Sequence, residues 1–357
     1  MNARIPLLAI LAAGCQESTF FTPPENIYEP QPGSIEGRVC DPSGRTWLPD
    51  AQIYTYLYAE DGHIYDTRQA FSDRDGFWLL DDLPTGEFGT TYQVYVQYGY
   101  EMLDQIEVFV SDGENVTLEE PDCFDPLAVD VAVVTGDYDD FQEVLVNMGF
   151  ANYQEVDGLD HDELQSFLLD PANLEPFDII FFNGGHVEED VIYDTDGTDK
   201  KGLTEQARNN ILAYVEAGGA VYASDWAYDD VEQIWPSRIN WVGDDEIPDD
   251  AQAGEYDFVT AAVSDAALAE FLGKNYVDVE FDLPVWPVLE NVDGSVSVHL
   301  TASVEYRDGT NTFTLPTSPI LVSFTSGEGK VVFSAFRMAK NATADMAVSL
   351  QYMMYNL

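Results

Sequence analysis

Residues 177–186 read Phe-Asp-Ile-Ile-Phe-Phe-Asn-Gly-Gly-His, and residues 220–227 read Ala-Val-Tyr-Ala-Ser-Asp-Trp-Ala. Each is a short apolar run that ends abruptly at turn-forming or polar residues. Runs without alternation suit strands buried on both faces, as in a parallel sheet. A third such run, Val129 to Val134, ends at Thr135-Gly136. Helical spacing fills the gaps between them. Phe141, Val144, Leu145 and Met148 share one face before Gly149, and Asp162 to Leu169 is a second short helix. Leu203 to Ala217 is a helix stopped by Gly218-Gly219, and Asp229 to Trp235 is another, ended by Pro236. Strands alternating with helices predict a doubly wound α/β domain over residues 127–357. Segments 277–281, 295–300, 319–324 and 330–336 are β-like and extend the sheet with antiparallel strands. His299 alternates with apolar neighbours there, which fits a core or edge position. The chain closes with a helix over 341–357, where Met346, Leu350, Met353 and Met354 repeat at helical spacing.

Upstream the pattern changes to period two. Ile35 to Val39, Gln52 to Tyr58, Gly76 to Leu80, Tyr92 to Val96 and Ile106 to Val110 are short alternating runs. Turn clusters such as Asp61-Gly62, Asp75-Gly76 and Asp112-Gly113 separate them. This spacing predicts a small β-sandwich over residues 34–123.

The chain of 357 residues therefore carries two domains, and its 45% hydrophobic content is enough to build two cores. Its charge is lopsided: 66 Asp+Glu against 14 Lys+Arg give −52. Such a field repels a phosphate backbone, so nucleic acid is excluded as a partner. Salt or calcium in the surroundings would ease the self-repulsion.

Residues 1–14 read as an export leader, with Arg4 ahead of a short apolar stretch. They end in Leu11-Ala12-Ala13-Gly14-Cys15, which resembles a bacterial lipobox. The resemblance implies lipidation of Cys15 and a membrane anchor. Gln16 in place of Asp favours the outer membrane or cell surface within the cell envelope. The alternative is an ordinary cleaved leader. Residues 15–33 are a proline-rich tether, extended and semi-rigid. Cys40 and Cys123 lie at opposite ends of the first domain. In an exported chain they are expected to pair, at a chain-entropy gain of about 4 kcal/mol. Two buried free thiols are the alternative.

The order Gly37-x-Val39-x-Asp41, Gly44, Pro49-x-Ala51, Ser72-Asp73-x-Asp75-Gly76, Trp78, Leu83-Pro84-x-Gly86 and Gly99-Tyr100 resembles the carboxypeptidase regulatory-like domain, a transthyretin-like sandwich. That family implies a non-catalytic module used in folding, spacing or adhesion. The second domain resembles the class I glutamine amidotransferase-like fold, with its flavodoxin-like sheet. Asn183-Gly184-Gly185 stands where that family has its oxyanion turn. Ala223-Ser224-Asp225-Trp226-Ala227 stands at the nucleophile elbow. The stretch from Gly327-x-Gly329 to Arg337 stands where related chains have a strand ending in the catalytic His.

The departures from that family shape the functional expectation. The domain contains no cysteine, and Arg337 takes the place of the expected His. An arginine cannot act as a general base. No catalytic residue is expected, and the domain reads as a degenerate relic in a binding or structural protein. One alternative is a serine hydrolase or amidase in which His186 activates Ser224, oriented by Glu188 or Glu189. The strand ends would gather Asp137, Tyr138, Asp139, Asn183, Gly184, Gly185, Asp225, Trp226, Tyr228 and Arg337 into a ligand rim, with Arg337 paired to Asp225. A third reading is a calcium-dependent adhesin. Asp73 and Asp75 with Gly76 form one acidic candidate, although a simple turn explains them as well. Asp194 and Asp196 form the other, occupying positions one and three of a loop with Glu205 at twelve. Thr198 at five and Asp199 where glycine is required depart from that order. Calcium is the one candidate cofactor, and an extracellular protein or glycan the candidate partner. Oligomeric state is not encoded in any pattern found.

Overall fold

The computed structural model describes residues 30–41, 47–59, 61–98, 101–123, 129–150, 152–197, 202–243, 247–337 and 342–356. The leader, Cys15, the tether up to residue 29, Gly44, Gly99, Tyr100, residues 198–201 and Asn341 lie outside the described residues. Among the described residues no helix is long and apolar enough to cross a membrane.

The N-terminal unit begins slightly earlier than the periodicity suggests. The Gln31 amide donates to Asp112 Oδ1 at 2.7 Å, and strand β1 starts at Gly33. The unit holds β1 (Gly33–Cys40), β2 (Gln52–Tyr58), β3 (Ile64–Phe71), β4 (Phe77–Leu83), β5 (Thr90–Tyr98), β6 (Glu101–Val110), β7 (Asn115–Thr117) and β8 (Asp122–Cys123). Two four-stranded sheets result. One has the order β4-β1-β7, with β8 also on β1, and the other has the order β3-β2-β5-β6. Alternate residues point inward, as period two requires. Ile35, Val39, Trp78 and Leu80 are buried from the first sheet, and Ile53, Leu57, Val94, Val96 and Val108 from the second. Cys40 and Cys123 are joined in a disulfide that ties β1 to β8 across a sequence separation of 83.

Asp73 and Asp75 act within a turn. Asp73 Oδ1 accepts the amides of Asp75 (2.9 Å) and Phe77 (3.0 Å), which closes the β3–β4 connection around Gly76. Asp75 lies beside Arg74. Among the described residues this pair joins no cluster of three or more acidic or histidine side chains.

The second unit is mixed α/β and rich in strands. It runs β9 (Val131–Val134), α1 (Phe141–Asn147), β10 (Tyr153–Val156), α2 (His161–Leu169), β11 (Ile179–Phe182), α3 (Leu203–Glu216), β12 (Ala220–Ser224) and α4 (Tyr228–Ile234). It continues with β13 (Ile239–Trp241), β14 (Asp257–Val263), α5 (Ala266–Leu272), β15 (Tyr276–Phe281), β16 (Leu289–Val292), β17 (Ser297–Asp308), β18 (Asn311–Ser326), β19 (Gly329–Ser334) and α6 (Ala344–Tyr355). Nine strands form one sheet in the order β10-β9-β11-β12-β19-β18-β17-β14-β15. The first five are parallel and the rest antiparallel. β9, β11 and β12 are buried along their whole length. From β9 the chain steps to one side for β10 and to the other for β11. That reversal fixes a crevice at the carboxyl ends of β9 and β11, where open α/β sheets place ligands.

His299 lies buried on β17 with both ring nitrogens engaged. Nδ1 is 2.7 Å from Asp265 Oδ2, and Nε2 is 2.8 Å from Ser323 Oγ. Asp265 also caps α5 by accepting the amides of Ala267 and Leu268. The bond to His299 is the main cause that holds its carboxyl below the ordinary Asp range. A lowered folded-state pKa stabilises the fold above the unfolded-state value and loses that contribution as pH falls through the folded one.

Two outcomes follow from these contacts. Asp265→Ala is expected to cost about 1–2 kcal/mol at neutral pH, by removing a cap and stranding His299. Denaturant melts should show that difference shrinking below pH 4, and equal stability of both proteins at pH 7 would contradict it. The double variant Cys40→Ser/Cys123→Ser is expected to lose about 4 kcal/mol. The native, unreduced protein should leave both thiols unalkylated, and alkylation of either without reductant would contradict the bridge.

Candidate functional site

The loops that leave β9 and β11 meet closely. The amides of Asp137 and Tyr138 donate to the carbonyls of Gly185 (3.3 Å) and Gly184 (3.1 Å). A Cβ at Gly136 would stand 2.4 Å from the Gly184 carbonyl oxygen, so only glycine permits this approach. The Tyr138 ring lies over the second glycine, where a Cβ on Gly185 would meet Cδ2 at 2.3 Å. Tyr138 also packs edge-on against Trp226 at 4.9 Å between centroids. The Trp226 indole N–H donates to the Val285 carbonyl. The Gly184-Gly185 turn is therefore covered by an aromatic ring.

At the end of β12 the chain turns sharply. Asp225 has φ of +47°, in the left-handed region that a non-glycine residue enters at a cost. Of the two candidates for the centre of the elbow, Asp225 is the strained one. Its carboxyl is buried, and Oδ1 has no hydrogen-bond partner. Burial first, and then neighbouring Asp139, push its pKa well above the ordinary range, while Arg337 acts the other way. Ser224 lies one residue back and is fully buried. Its hydroxyl donates to Asp139 Oδ2 at 2.5 Å.

Two expected pairings are replaced. Ser224 bonds to Asp139, while His186 is turned toward Asn183 and Asp230, so the structure does not form the Ser224–His186 dyad. Arg337 bonds to Asp282 (Nε to Oδ1, 2.7 Å) and to the Tyr138 carbonyl (2.8 Å) instead of Asp225. The physical reason is placement: Asp282, just after β15, reaches the guanidinium, while Asp225 is held by its backbone turn. The rest of the rim is also engaged. Asn183 Nδ2 donates to Gln142 at 2.8 Å, and Tyr228 is buried with its hydroxyl accepting the Ala251 amide. Asp137 is exposed. Between Asp225, Asp282, Trp286 and Arg337 the packing leaves a cavity of about 10 Å³. That is room for one water molecule at most.

A second constellation sits behind the rim. His186 and Glu188 follow β11, while Asp229, Asp230 and Glu232 lie on α4 after β12. All five are buried. His186 Nδ1 is 3.1 Å from the Asn183 carbonyl. Its Nε2 is 3.0 Å from Asp230 Oδ2 and 4.0 Å from Glu188 Oε1. Glu188 also groups with Asp229 and the exposed Asp249, which accepts from Tyr193. Burial, then Asp229 and Asp230, raise the Glu188 pKa well above its usual range. Burial and then Glu232 raise Asp229 to about 9. The His186 pKa is raised because Asp230 outweighs the opposing effect of burial.

Sequence reasoning reached His186 and Glu188 as a triad fragment and missed Asp229 and Asp230 as their neighbours. The available signal was three acids, Asp229, Asp230 and Glu232, within one seven-residue helix directly after a buried strand. The loop acids Asp194 and Asp196 do come together, joined by Glu189 and Asp190. They lie nearer the surface and are partly occupied. Glu189 accepts from Thr195, and Asp194 accepts the Gly197 amide.

No family model matches the chain, and no curated protein matches it. Among solved structures the chain is similar to a cytoplasmic protein of Salmonella typhimurium, at 10% identity over 75% of this chain and 94% of that one, with a TM-score of 0.39. A ThuA-like protein from Bacteroides uniformis is similar at 11% identity over 62% and 88%, with a TM-score of 0.39. The TIE protein of Bacillus anthracis is similar at 20% identity over 30% and 20%, with a TM-score of 0.21.

Proposed function

We propose that this is an exported, lipid-anchored protein of the bacterial cell envelope that serves as a non-catalytic binding or structural module. In this reading Cys15 carries the lipid, and the tether holds the folded units off the outer membrane or cell surface. Residues 34–123 are a transthyretin-like module of the carboxypeptidase regulatory type. Residues 127–357 are an amidotransferase-like domain that has lost its chemistry.

One observation carries the non-catalytic reading: the described rim residues are engaged with one another. Tyr138 covers the turn at Gly184 and Gly185, the Ser224 hydroxyl is donated to a buried carboxylate, and the elbow residue is a buried Asp. A nucleophile needs a base and a space for the carbonyl it attacks. Ser224 is fully buried, and the partner of its hydroxyl is Asp139 and not the histidine of the hydrolase alternative.

The test is chemical. The full chain is expected to take up no fluorophosphonate probe and to turn over no ester or amide. Labelling or turnover that disappears in Ser224→Ala would establish the serine-hydrolase alternative. The same substitution is expected to lower stability by about 2 kcal/mol, because it takes one donor from a buried carboxylate and leaves a small void. For the anchor, cells fed an alkyne-bearing fatty acid should label the wild-type protein and leave Cys15→Ser unlabelled. Equal labelling of both would remove the lipoprotein reading.

A further inference from the structure

We propose that His186, Glu188 and Asp230 bind one divalent transition-metal cation of the zinc class, in a site independent of the envelope reading above. Four observations point there.

The first is convergence of buried donors with little else to bind. Oε1 of Glu188 and Oδ1 of Asp230 are buried without a hydrogen-bond partner, and His186 Nε2 and Asp230 Oδ2 have only each other. The His186 and Asp230 side chains have no exposed surface, and Glu188 is 8% exposed. A buried carboxylate ordinarily has its oxygens satisfied.

The second is the orientation of the imidazole. The Asn183 carbonyl can only accept, so Nδ1 bears a proton and Nε2 is the nitrogen left for a ligand, which is how metal-binding histidines are commonly oriented. Nε2 faces Asp230 Oδ2 at 3.0 Å and Glu188 Oε1 at 4.0 Å. A cation bound there would take the place of any proton between Nε2 and Asp230.

The third is distance. Two ligands bound at about 2.1 Å lie at most about 4.2 Å from each other. Both separations from Nε2 fall inside that limit.

The fourth is charge. With the ligands deprotonated by the ion, two carboxylates and a neutral imidazole carry −2, which a divalent cation balances. The carboxylates of Asp229, Glu232 and Asp249 surround the same loop and no cation does so among the groups acting on Glu188.

The donor set selects the class of ion. One imidazole nitrogen with two carboxylates suits zinc or its neighbours, whereas calcium takes six to eight oxygens. The ion would pin the loop after β11 to the first turn of α4. Asp249, exposed and grouped with Glu188 and Asp229, marks the way in from solvent.

The experiment uses the full chain after dialysis against a chelator. Calorimetric titration with Zn²⁺ should give one equivalent, and Co²⁺ should give a visible ligand-field band. Saturating Zn²⁺ should raise Tm by about 5 °C, while millimolar Ca²⁺ or Mg²⁺ should not. His186→Gln and the near-isosteric Asp230→Asn should each weaken Zn²⁺ binding at least about tenfold. Asp194→Asn/Asp196→Asn should leave it unchanged, as a control for the acidic surface loop. The wild-type titration stands even if a variant fails to fold. Absence of stoichiometric Zn²⁺ in the wild type, a response to Ca²⁺ alone, or loss of binding only in the surface-loop variant would each overturn the assignment.

Discussion

The closeness of two backbones at the end of the sheet governs the rest of the molecule. The loops after β9 and β11 meet where Gly136 passes the Gly184 carbonyl, and two backbone hydrogen bonds lock them together. In an open α/β sheet this is the crevice where a ligand is expected. Here the described loops pack against each other across it. Tyr138 can then lie over Gly185, and Trp226 can close against Tyr138. Arg337 is drawn into the same plug through the Tyr138 carbonyl and Asp282.

Next to the crevice lies an unusual concentration of buried acids. Asp225, Asp229 and Asp230 follow β12 within six residues, and all are buried. A buried carboxylate is costly unless it is protonated, paired or bound to a cation. The three meet different partners. Asp225 faces Asp139 and Arg337 in the rim, Asp229 lies between Glu232 and Asp249, and Asp230 faces His186. The strand-to-helix turn thus separates the packed rim from a buried cluster of acids around His186.

The sequence made the main sheet readable wherever strands were buried on both faces. Val131–Val134, Ile179–Phe182 and Ala220–Ser224 are apolar without interruption, and their flanking helices have clear 3.6-residue spacing. Edge and accessory strands were harder to read. Tyr153–Val156 lies at the sheet edge and buries only Val156, so half of it is polar. Ile239–Trp241 and Leu289–Val292 pair in a small sheet of their own and are too short to show a period. In the site, the rim residues were legible because strand ends are marked by glycine and polar punctuation. Their pairings were not, since Asp282 is 55 residues from Arg337 and Asp139 is 85 from Ser224. Asp229 and Asp230 read only as the start of a helix, and their burial beside His186 depends on a contact 44 residues apart in sequence.

Hydrogen exchange at the amides of Asp137 and Tyr138 is the most direct measurement of whether the crevice is sealed. A locked rim predicts that these two amides exchange as slowly as those in the middle of β9 and β11, with or without added small esters and amides. Fast exchange at both, beside a slow sheet, would mean that the loops part readily and that the filled rim does not describe the working protein.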